Sequence, residues 1–581
     1  MSEPIKITPD MTVREVNARY PGCREVFNKH GMGGCGGQFG PPEPIEFFAK
    51  AHHISMTELI ADLEVAAASG AGAALETEDE KLSGRIYKRF VKAALFFTLT
   101  LGTLWGVINL TVIALNRSFQ APNYSAVQSH GHAQTFGWVG LFVMGVAFYT
   151  IPKFKGANLR SHKLASATLP LVFVGIIARA VAQPLAANPT YGLIATASSV
   201  VELAAICIFS ALMLDVVRRS TQAVEFYDKF VCAGLVWFLV VGALNVAAML
   251  YLWRAHDNIV PPAYNLPILH VQVFGFIVNF ILGVSLRILP HFMGIRPPLE
   301  RAANAAFWLY NTGVVLRVLG QPPVVSAVLE LGGAALCVHA LGVFSRPVES
   351  VEIAGVDNSY TRFVRLGYVW FLATGAMVVG GDIYQLLTGS LPPPAYVGAY
   401  RHAITVGFIS TLMMGVAYRV LPIFNGTELY SAKAMRVSFW LLAIGNIFRV
   451  GWQLGTLSGS AIAFAGAGLS GYLELAAMAV FSWNIIKTLC DAPDTFLEDH
   501  VVTPRTRVAD ILDIYPQARL ALIEAGFTHM ADMPRPPRFV TLGFAAGRHG
   551  LDPGEVAEKL NETIHQWCGS TGQFEEVTQN G

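Results

Sequence analysis

Long apolar runs, rather than an alternation of apolar and polar positions, dominate this chain. About 20 apolar residues cross the hydrocarbon core of a bilayer as an α-helix. Twelve runs of that length start near Phe90, His130, Leu164, Leu193, Phe230, Pro267, Ala302, Val324, Phe363, Tyr400, Val437 and Ala461, and the last ends near Lys487. The predicted fold class is therefore all-α: a polytopic membrane protein of 12 transmembrane helices, built as three four-helix repeats and flanked by two small soluble helical domains.

The repeats are read directly from aligned segments. "HAQTFGWVGLFVMGVAFYTIPKF", "HVQVFGFIVNFILGVSLRILPHF" and "HAITVGFISTLMMGVAYRVLPIF" begin at His132, His270 and His402. A glycine follows five positions on (Gly137, Gly275, Gly407), a Gly-Val pair thirteen on (Gly145, Gly283, Gly415), and Pro-x-Phe closes each (Pro152, Pro290, Pro422). The next run repeats Gly-Arg-Gln: Gly175, Arg179 and Gln183; Gly313, Arg317 and Gln321; Gly445, Arg449 and Gln453, each arginine 47 residues after its histidine. A Glu-Leu recurs in the fourth run (Glu202, Glu330, Glu474), and Tyr-x-x-Phe opens the first (Tyr87 to Phe90, Tyr227 to Phe230, Tyr360 to Phe363). Such self-similarity points to duplication of one unit, with repeats at about 85–218, 225–346 and 358–490 inside a membrane domain of 85–490.

The ends also match each other. "ITPDMTVREVNARYPGCREVFNKHGM" aligns without gaps to "VTPRTRVADILDIYPQARLALIEAGF". Both read as small helical domains, at 1–65 and 500–565, with Thr-Pro as a helix start and with Ser55 and Asp552 as later N-caps. Residues 66–84 read as a linker and 566–581 as a tail.

Composition agrees with a membrane class. Charged residues make up 14%, hydrophobic residues 53%, and the mean hydropathy is +0.47, whereas soluble domains carry about 25% charge. A net charge of +1 gives no reason to expect a nucleic-acid partner. The seven cysteines are scattered with no CxxC, which is neither a disulfide framework nor a zinc site. Basic residues gather at Lys88, Arg89 and Lys92, at Lys153, Lys155, Arg160 and Lys163, and at Arg218, Arg219 and Lys229, while the alternate loops are nearly uncharged. By the positive-inside rule both termini are expected in the cytoplasm. The prolines then mark the cytoplasmic face, and the histidines lie just inside the opposite one.

A histidine in an apolar span is costly and has a partner or a task. One alone reads as a core histidine bonded to a neighbouring helix. Three at equal depth in three symmetric units read as ligands of iron or copper, which makes His132, His270 and His402 candidate metal or haem ligands. His130 lies two residues before His132, so it faces nearly the opposite way on a helix; it is either interfacial or a ligand of a second centre. Each arginine is expected to pair with the glutamate of the next helix, about one turn deeper. The functional alternative gives haem propionates to one or two arginines, Arg449 above all. The glycines of the histidine helices serve close packing or a flat cofactor. His291, Arg287 and His256 read as interfacial or solvated residues. His339, beside Cys337, is a lesser candidate for an extra ligand, since its repeat equivalents are Ala211 and Trp483. Cys35 sits in the glycine-rich turn "GMGGCGGQFG", either as a plain turn residue or as an exposed thiol with a metal or redox task.

Twelve helices with histidines on the second, sixth and tenth resemble subunit I of the haem-copper oxidases. The wording "HGHAQTFGWVGLFVMGVAFYTIPKF" is closer to the NnrS family, whose members are haem- and copper-containing bacterial membrane proteins linked to nitric oxide metabolism and nitrosative-stress resistance. The resemblance covers about residues 85–490. It implies a bacterial inner-membrane protein with a haem clamped by His132 and His402, a copper ligand in His270, and copper as the second cofactor. It further implies nitric oxide or another small gas as partner, a quinol or cytochrome as electron donor, and an enzyme, if it is one, of the haem-dependent oxidoreductase kind. Departures matter: span seven, "AAFWLYNTGVVLRVLG", lacks the oxidases' histidine pair, and span ten shows a single histidine. A haem protein that binds or senses nitric oxide fits the sequence better than a divergent nitric oxide or oxygen reductase. The third reading is a transporter with an internal Arg-Glu layer. The terminal domains resemble the N-terminal domain of ScdA-type iron-centre repair proteins, of whose cysteine- and glycine-rich turn "GMGGCGG" keeps one cysteine.

Overall fold

Residues 6–33, 35–37, 39–52, 54–69, 78–220, 222–320, 322–348, 356–490, 500–527 and 540–569 are described by a computed structural model. Four short helices form the N-terminal domain: α1 (Val13–Arg19), α2 (Cys23–Lys29), α3 (Ile45–His52) and α4 (Met56–Ala68). Twelve long helices follow. The first repeat holds α5 (Glu78–Asn116), α6 (Tyr124–Lys155), α7 (His162–Leu185) and α8 (Pro189–Arg218). The second holds α9 (Phe226–Ala255), α10 (Pro262–Met293), α11 (Glu300–Val318) and α12 (Pro323–Leu341). The third holds α13 (Tyr360–Thr388), α14 (Pro394–Asn425), α15 (Ala432–Gly455) and α16 (Ala461–Cys490). The C-terminal domain has α17 (Val508–Ile514), α18 (Ala518–Glu524), α19 (Leu542–Arg548) and α20 (Pro553–Gly569).

Ten of these helices are long and apolar enough to cross a membrane, against the expected twelve. The two that fall short, α11 and α15, carry the repeated arginines Arg317 and Arg449 together with Asn311 and Asn446, so polar positions lower their hydropathy. Helices α4 and α5 also extend into the expected linker, reaching Ala68 and starting at Glu78; residues 70–77 lie outside the described ones.

The histidine helices are the inner ring. In α6, α10 and α14, 83% of the apolar window is buried, against 33–50% in the other seven spans. Their glycines are contact points. A Cβ on Gly145 would lie 2.4 Å from Phe90 Cβ, one on Gly415 2.6 Å from Phe363 Cβ, and one on Gly283 3.2 Å from Phe230 Cβ. The Gly-Val motif and the Tyr-x-x-Phe motif are thus the two halves of one helix contact. Gly137, Gly275 and Gly407 likewise receive Phe97, Trp237 and Trp370. Each helix runs past its proline and stops at Gly156, Gly294 or Gly426, all with φ near +60°, where a side chain would be strained.

The terminal domains fold alike. Helices α17 and α18 fall at the positions of α1 and α2 in the ungapped alignment, and each domain has one isolated bridge, Thr12 to Pro44 and Arg507 to Thr541. The N-terminal domain sits on the proline end of the bundle. Arg419 of α14 pairs with Glu43, Arg14 donates to the Gly426 carbonyl, Lys153 Nζ donates to Gly33 O at 2.6 Å, and Arg24 meets Glu80 at 3.2 Å. The C-terminal domain leans on the N-terminal one through Arg19 Nε and Ile514 O at 2.8 Å.

Candidate functional site

Each histidine of the inner ring ends an ordinary α-helical stretch. The next turns are wider: Ala133–Gly140, Val271–Ile277 and Ala403–Ser410 have π-helical hydrogen bonding. Such bulges are uncommon and recur at functional sites. Nothing in the residue pattern announces them. The turns begin directly after His132, His270 and His402, at the end of each helix away from its proline.

The first two histidines are held by carboxylates. His132 Nε2 lies 2.8 Å from Glu202 Oε2, with side chains 4% and 3% exposed. His270 Nε2 lies 2.9 Å from Glu330 Oε1, with side chains 13% and 6% exposed. Their rings stack on Phe136 and Phe274 one turn on, at 4.4 and 4.7 Å. Gly175 and Gly313 make room for the glutamates, since a Cβ there would lie 2.5 and 2.7 Å from the carboxylate stems.

The expected Arg-Glu ion pairs are therefore replaced. Arg179 and Arg317 instead reach the first helix of the following repeat. Arg179 Nη1 donates to Asn245 Oδ1 of α9 at 2.6 Å, and its Nε to Gln183 Oε1 at 3.1 Å. Arg317 grips Asp382 of α13 with two bonds, 3.1 and 2.5 Å. Gln321, the second member of the repeated glutamine set, lies outside the described residues. Asp382 was missed by motif reasoning, although an acidic residue in an apolar span is itself a signal.

The third repeat breaks the pattern. His402 does not meet Glu474; its Nδ1 lies 3.0 Å from the carbonyl of Gly398 on its own helix. A carbonyl only accepts, so Nδ1 carries the proton and Nε2 keeps its lone pair. Arg449 is 6% exposed, and its Nε and Nη1 have no hydrogen-bond partner. Asn446 Nδ2 and Oδ1, Gln453 Oε1, Glu474 Oε1 and Trp370 Nε1 are buried and unpaired as well. Native proteins leave few buried polar atoms unpaired, and here they collect on α13, α15 and α16 around α14.

His130, on α6, packs against α5. Its Nδ1 lies 3.4 Å from Leu101 O on α5, and a Cβ on Gly106 would come 2.8 Å from its ring. His402 feels the charges of both His130 and Arg449, and His130 feels that of Arg449. This coupling puts His130, not His132, on the side of α6 nearer His402, at the seam between the first and third repeats.

Residues 348–492 match the family model "NnrS protein". That stretch takes in the whole third repeat, with His402, Arg449 and Glu474. No curated protein matches the chain. Among solved structures, a chain of a heme-copper terminal oxidase dimer, whose cryo-EM study addresses its catalytic mechanism, is 12% identical with a TM-score of 0.54, covering 83% of this chain and 99% of that one. The fold is thus haem-copper oxidase-like, and the protein is a multi-pass membrane protein.

Among the described residues no three His, Cys, Asp or Glu side chains are grouped so as to hold a metal ion. His339 is exposed on α12, with only its carbonyl engaged, by Arg296 at 2.8 Å. His256 caps α9 in a left-handed turn. His291 and Arg287 meet at 3.5 Å at the proline end of α10. Cys35 lies at the junction of the N-terminal domain with α6, where burial pushes its thiol up to about 11, Lys153 and Tyr149 opposing and Glu43 assisting.

Proposed function

We propose that this NnrS-like protein would hold one haem at the seam between the first and third repeats, with His130 and His402 as the residues that would bind its iron. The observation that carries this reading is the pair of imidazoles whose Nδ1 atoms face backbone carbonyls, beside a buried set of unpaired polar groups. Metal-bound histidines characteristically donate their other ring N–H to a carbonyl or carboxylate. Arg449 would take the propionates: a guanidinium with uncommitted donors suits a carboxylate. Asn446, Gln453 and Trp370 supply further donors around them. His132 and His270 are not ligands in this reading, because their rings are stacked and tied to carboxylates.

Bound there, haem would supply one-electron chemistry, and nitric oxide would reach its iron only in place of one of the two imidazoles. The chain's own residues fix the imidazoles, keep their Nε2 atoms deprotonated and close the seam to water. Copper finds no matching donor set among the described residues, nor does the second haem-copper centre that a reductase needs. A transporter with an Arg-Glu layer loses that layer in the first two repeats, where the arginines bond Asn245 and Asp382. We place the protein in a bacterial inner membrane, with both terminal domains on the basic, cytoplasmic side and a quinol or cytochrome as electron donor.

The test is a reduced-minus-oxidised optical spectrum of the detergent-purified protein, expressed with ample haem. A low-spin haem spectrum lost in His130→Ala and in His402→Ala, and kept in His132→Ala, is the expected result. A colourless wild type defeats the proposal, and nitric oxide added to the reduced protein tests the gas.

A further inference from the structure

The repeats also differ, and two of the differences are glycines beside the seam imidazoles. His130 is itself a difference: its repeat equivalents are Ile268 and Tyr400. Counted from the Tyr-x-x-Phe motif, Gly106 of α5 corresponds to Val246 and Val379. The ring of His130 takes the place of a side chain there, since a Cβ on Gly106 would lie 2.8 Å from its Cε1. The same part of α5 is irregular. Thr98–Gly102 has π-helical hydrogen bonding and Gly102 has ψ −108°, against about −42° in a regular helix, whereas α9 and α13 are α-helical along their whole length. A π turn disturbs the regular hydrogen-bond ladder, and within this one the carbonyl of Leu101 faces His130 Nδ1 at 3.4 Å.

Gly398 of α14 is the second glycine, and its equivalents are Gln128 and Leu266. In the first repeat Gln183 Nε2 donates to Gln128 Oε1 at 3.1 Å. In the third, Gln453, the equivalent of Gln183, occupies the space over Gly398, where any Cβ would overlap its Nε2. The missing side chain lets α15 close on α14 beside His402, whose Nδ1 bonds the Gly398 carbonyl at 3.0 Å. Gln453 lies one turn from Arg449 on the same helix.

We propose that Gly106 and Gly398 are positioning residues of the seam: Gly106 seats the His130 ring against the α5 turn, and Gly398 seats Gln453 and Arg449 beside His402. The assignment rests on the haem reading.

The experiment restores the repeat residue at each place in the full-length protein, as Gly106→Val and Gly398→Gln, with Gly451→Leu as control. Gly451, on the helix of Arg449, corresponds to Val181 and Leu319, and a Cβ there meets nothing within 4 Å. Haem is titrated optically into each purified apoprotein. The reduction potential and the paramagnetic resonance spectrum are then read on the bound fraction. Losing a group that orients a metal ligand weakens binding about 10–100-fold, and that loss is expected in both variants. In Gly106→Val the potential should also rise and the g-values change, because an imidazole without its Nδ1–H acceptor is a weaker electron donor. A glycine that served packing alone would lower SDS resistance and leave potential and g-values unmoved. Gly451→Leu should match the wild type. Gly106→Ala and Gly398→Ala stand in if the larger side chains do not fold, with changes of the same sign. Wild-type affinity and spectra in the variants, or an equal change in Gly451→Leu, overturn the proposal. A colourless wild type overturns the haem reading instead, so the two failures are told apart.

Discussion

Glutamine in place of Glu202 or of Glu330 is the same chemical change at two repeat-equivalent positions, yet the two should differ in cost. Glu202→Gln removes the charge that balances Arg179, and Arg179 keeps only amide partners. Leaving a buried charge without its partner costs about 3–5 kcal/mol. Glu330→Gln weakens the bond to His270, but Arg317 retains Asp382. The loss is then that of a charge-assisted hydrogen bond, about 1–3 kcal/mol. The difference, about 2 kcal/mol, is roughly a 30-fold change in the unfolding constant, at about 1.4 kcal/mol per factor of ten. The assay is equilibrium unfolding in mixed micelles with increasing SDS, followed by circular dichroism, on the wild type and both variants. Adding Arg179→Gln to Glu202→Gln should recover part of the cost, since it removes the stranded cation. Equal destabilisation of the two single variants, or no recovery in the double, refutes the charge count.

Three further outcomes follow from other contacts. Loss of the haem spectrum in Arg449→Leu, with Arg179→Leu keeping it, is expected in optical titrations of the purified apoprotein, because the unpaired donors are those of Arg449. Gly145→Leu should destabilise by about 1–3 kcal/mol or more through overpacking, read from the same SDS titration, because a Cβ there already lies 2.4 Å from Phe90 Cβ. Seated, the Cys35 thiol is raised by burial from its ordinary 9.0 to about 11; below pH 9 it is neutral seated or free, and between those values a released thiol ionises while a seated one does not. Seating of the N-terminal domain should therefore weaken as pH rises through that window and be unchanged below it, with Cys35 alkylation at pH 8 slow in the wild type and faster in Glu43→Gln, which weakens the tie to Arg419.

Much of the architecture was legible because membrane helices announce themselves by composition. The repeat motifs were legible as spacing but not as contacts. Gly145 and Phe90 were both noted, yet only the structure shows that they are one joint. The arginine–glutamate expectation failed for a geometric reason. It counted depth along two helices and ignored azimuth, and azimuth turns Arg179 and Arg317 toward the next repeat while turning Glu202 and Glu330 toward the histidine. His130 reads as interfacial or as a ligand of a second centre because a uniform α-helix puts it opposite His132. The structure keeps that opposition: His132 turns to Glu202, and His130 turns to α5.

The ring of repeats shows why the joint between the third copy and the first differs from the other two. Arginines of the first and second repeats bond Asn245 and Asp382 on the helix that opens the next repeat. Closing the ring would bring Arg449 of the third repeat to α5, the opening helix of the first, which packs beside α16. There Asn109, at the place in its repeat that Asp382 has in the third, is half-buried with a buried, unpaired Nδ2, and Arg449 makes no bond to it. The closing link is absent on both sides, while the two internal links are made. The two internal joints are each closed by a bond from the arginine, and the joint between the last copy and the first lacks one. Restoring the link with Asn109→Asp should draw Arg449 into an ion pair with α5. The variant should then be more resistant to SDS than the wild-type apoprotein and should bind haem less well, read by optical titration. An Asn109→Asp protein that binds haem as the wild type does would show that Arg449 does not face the cofactor.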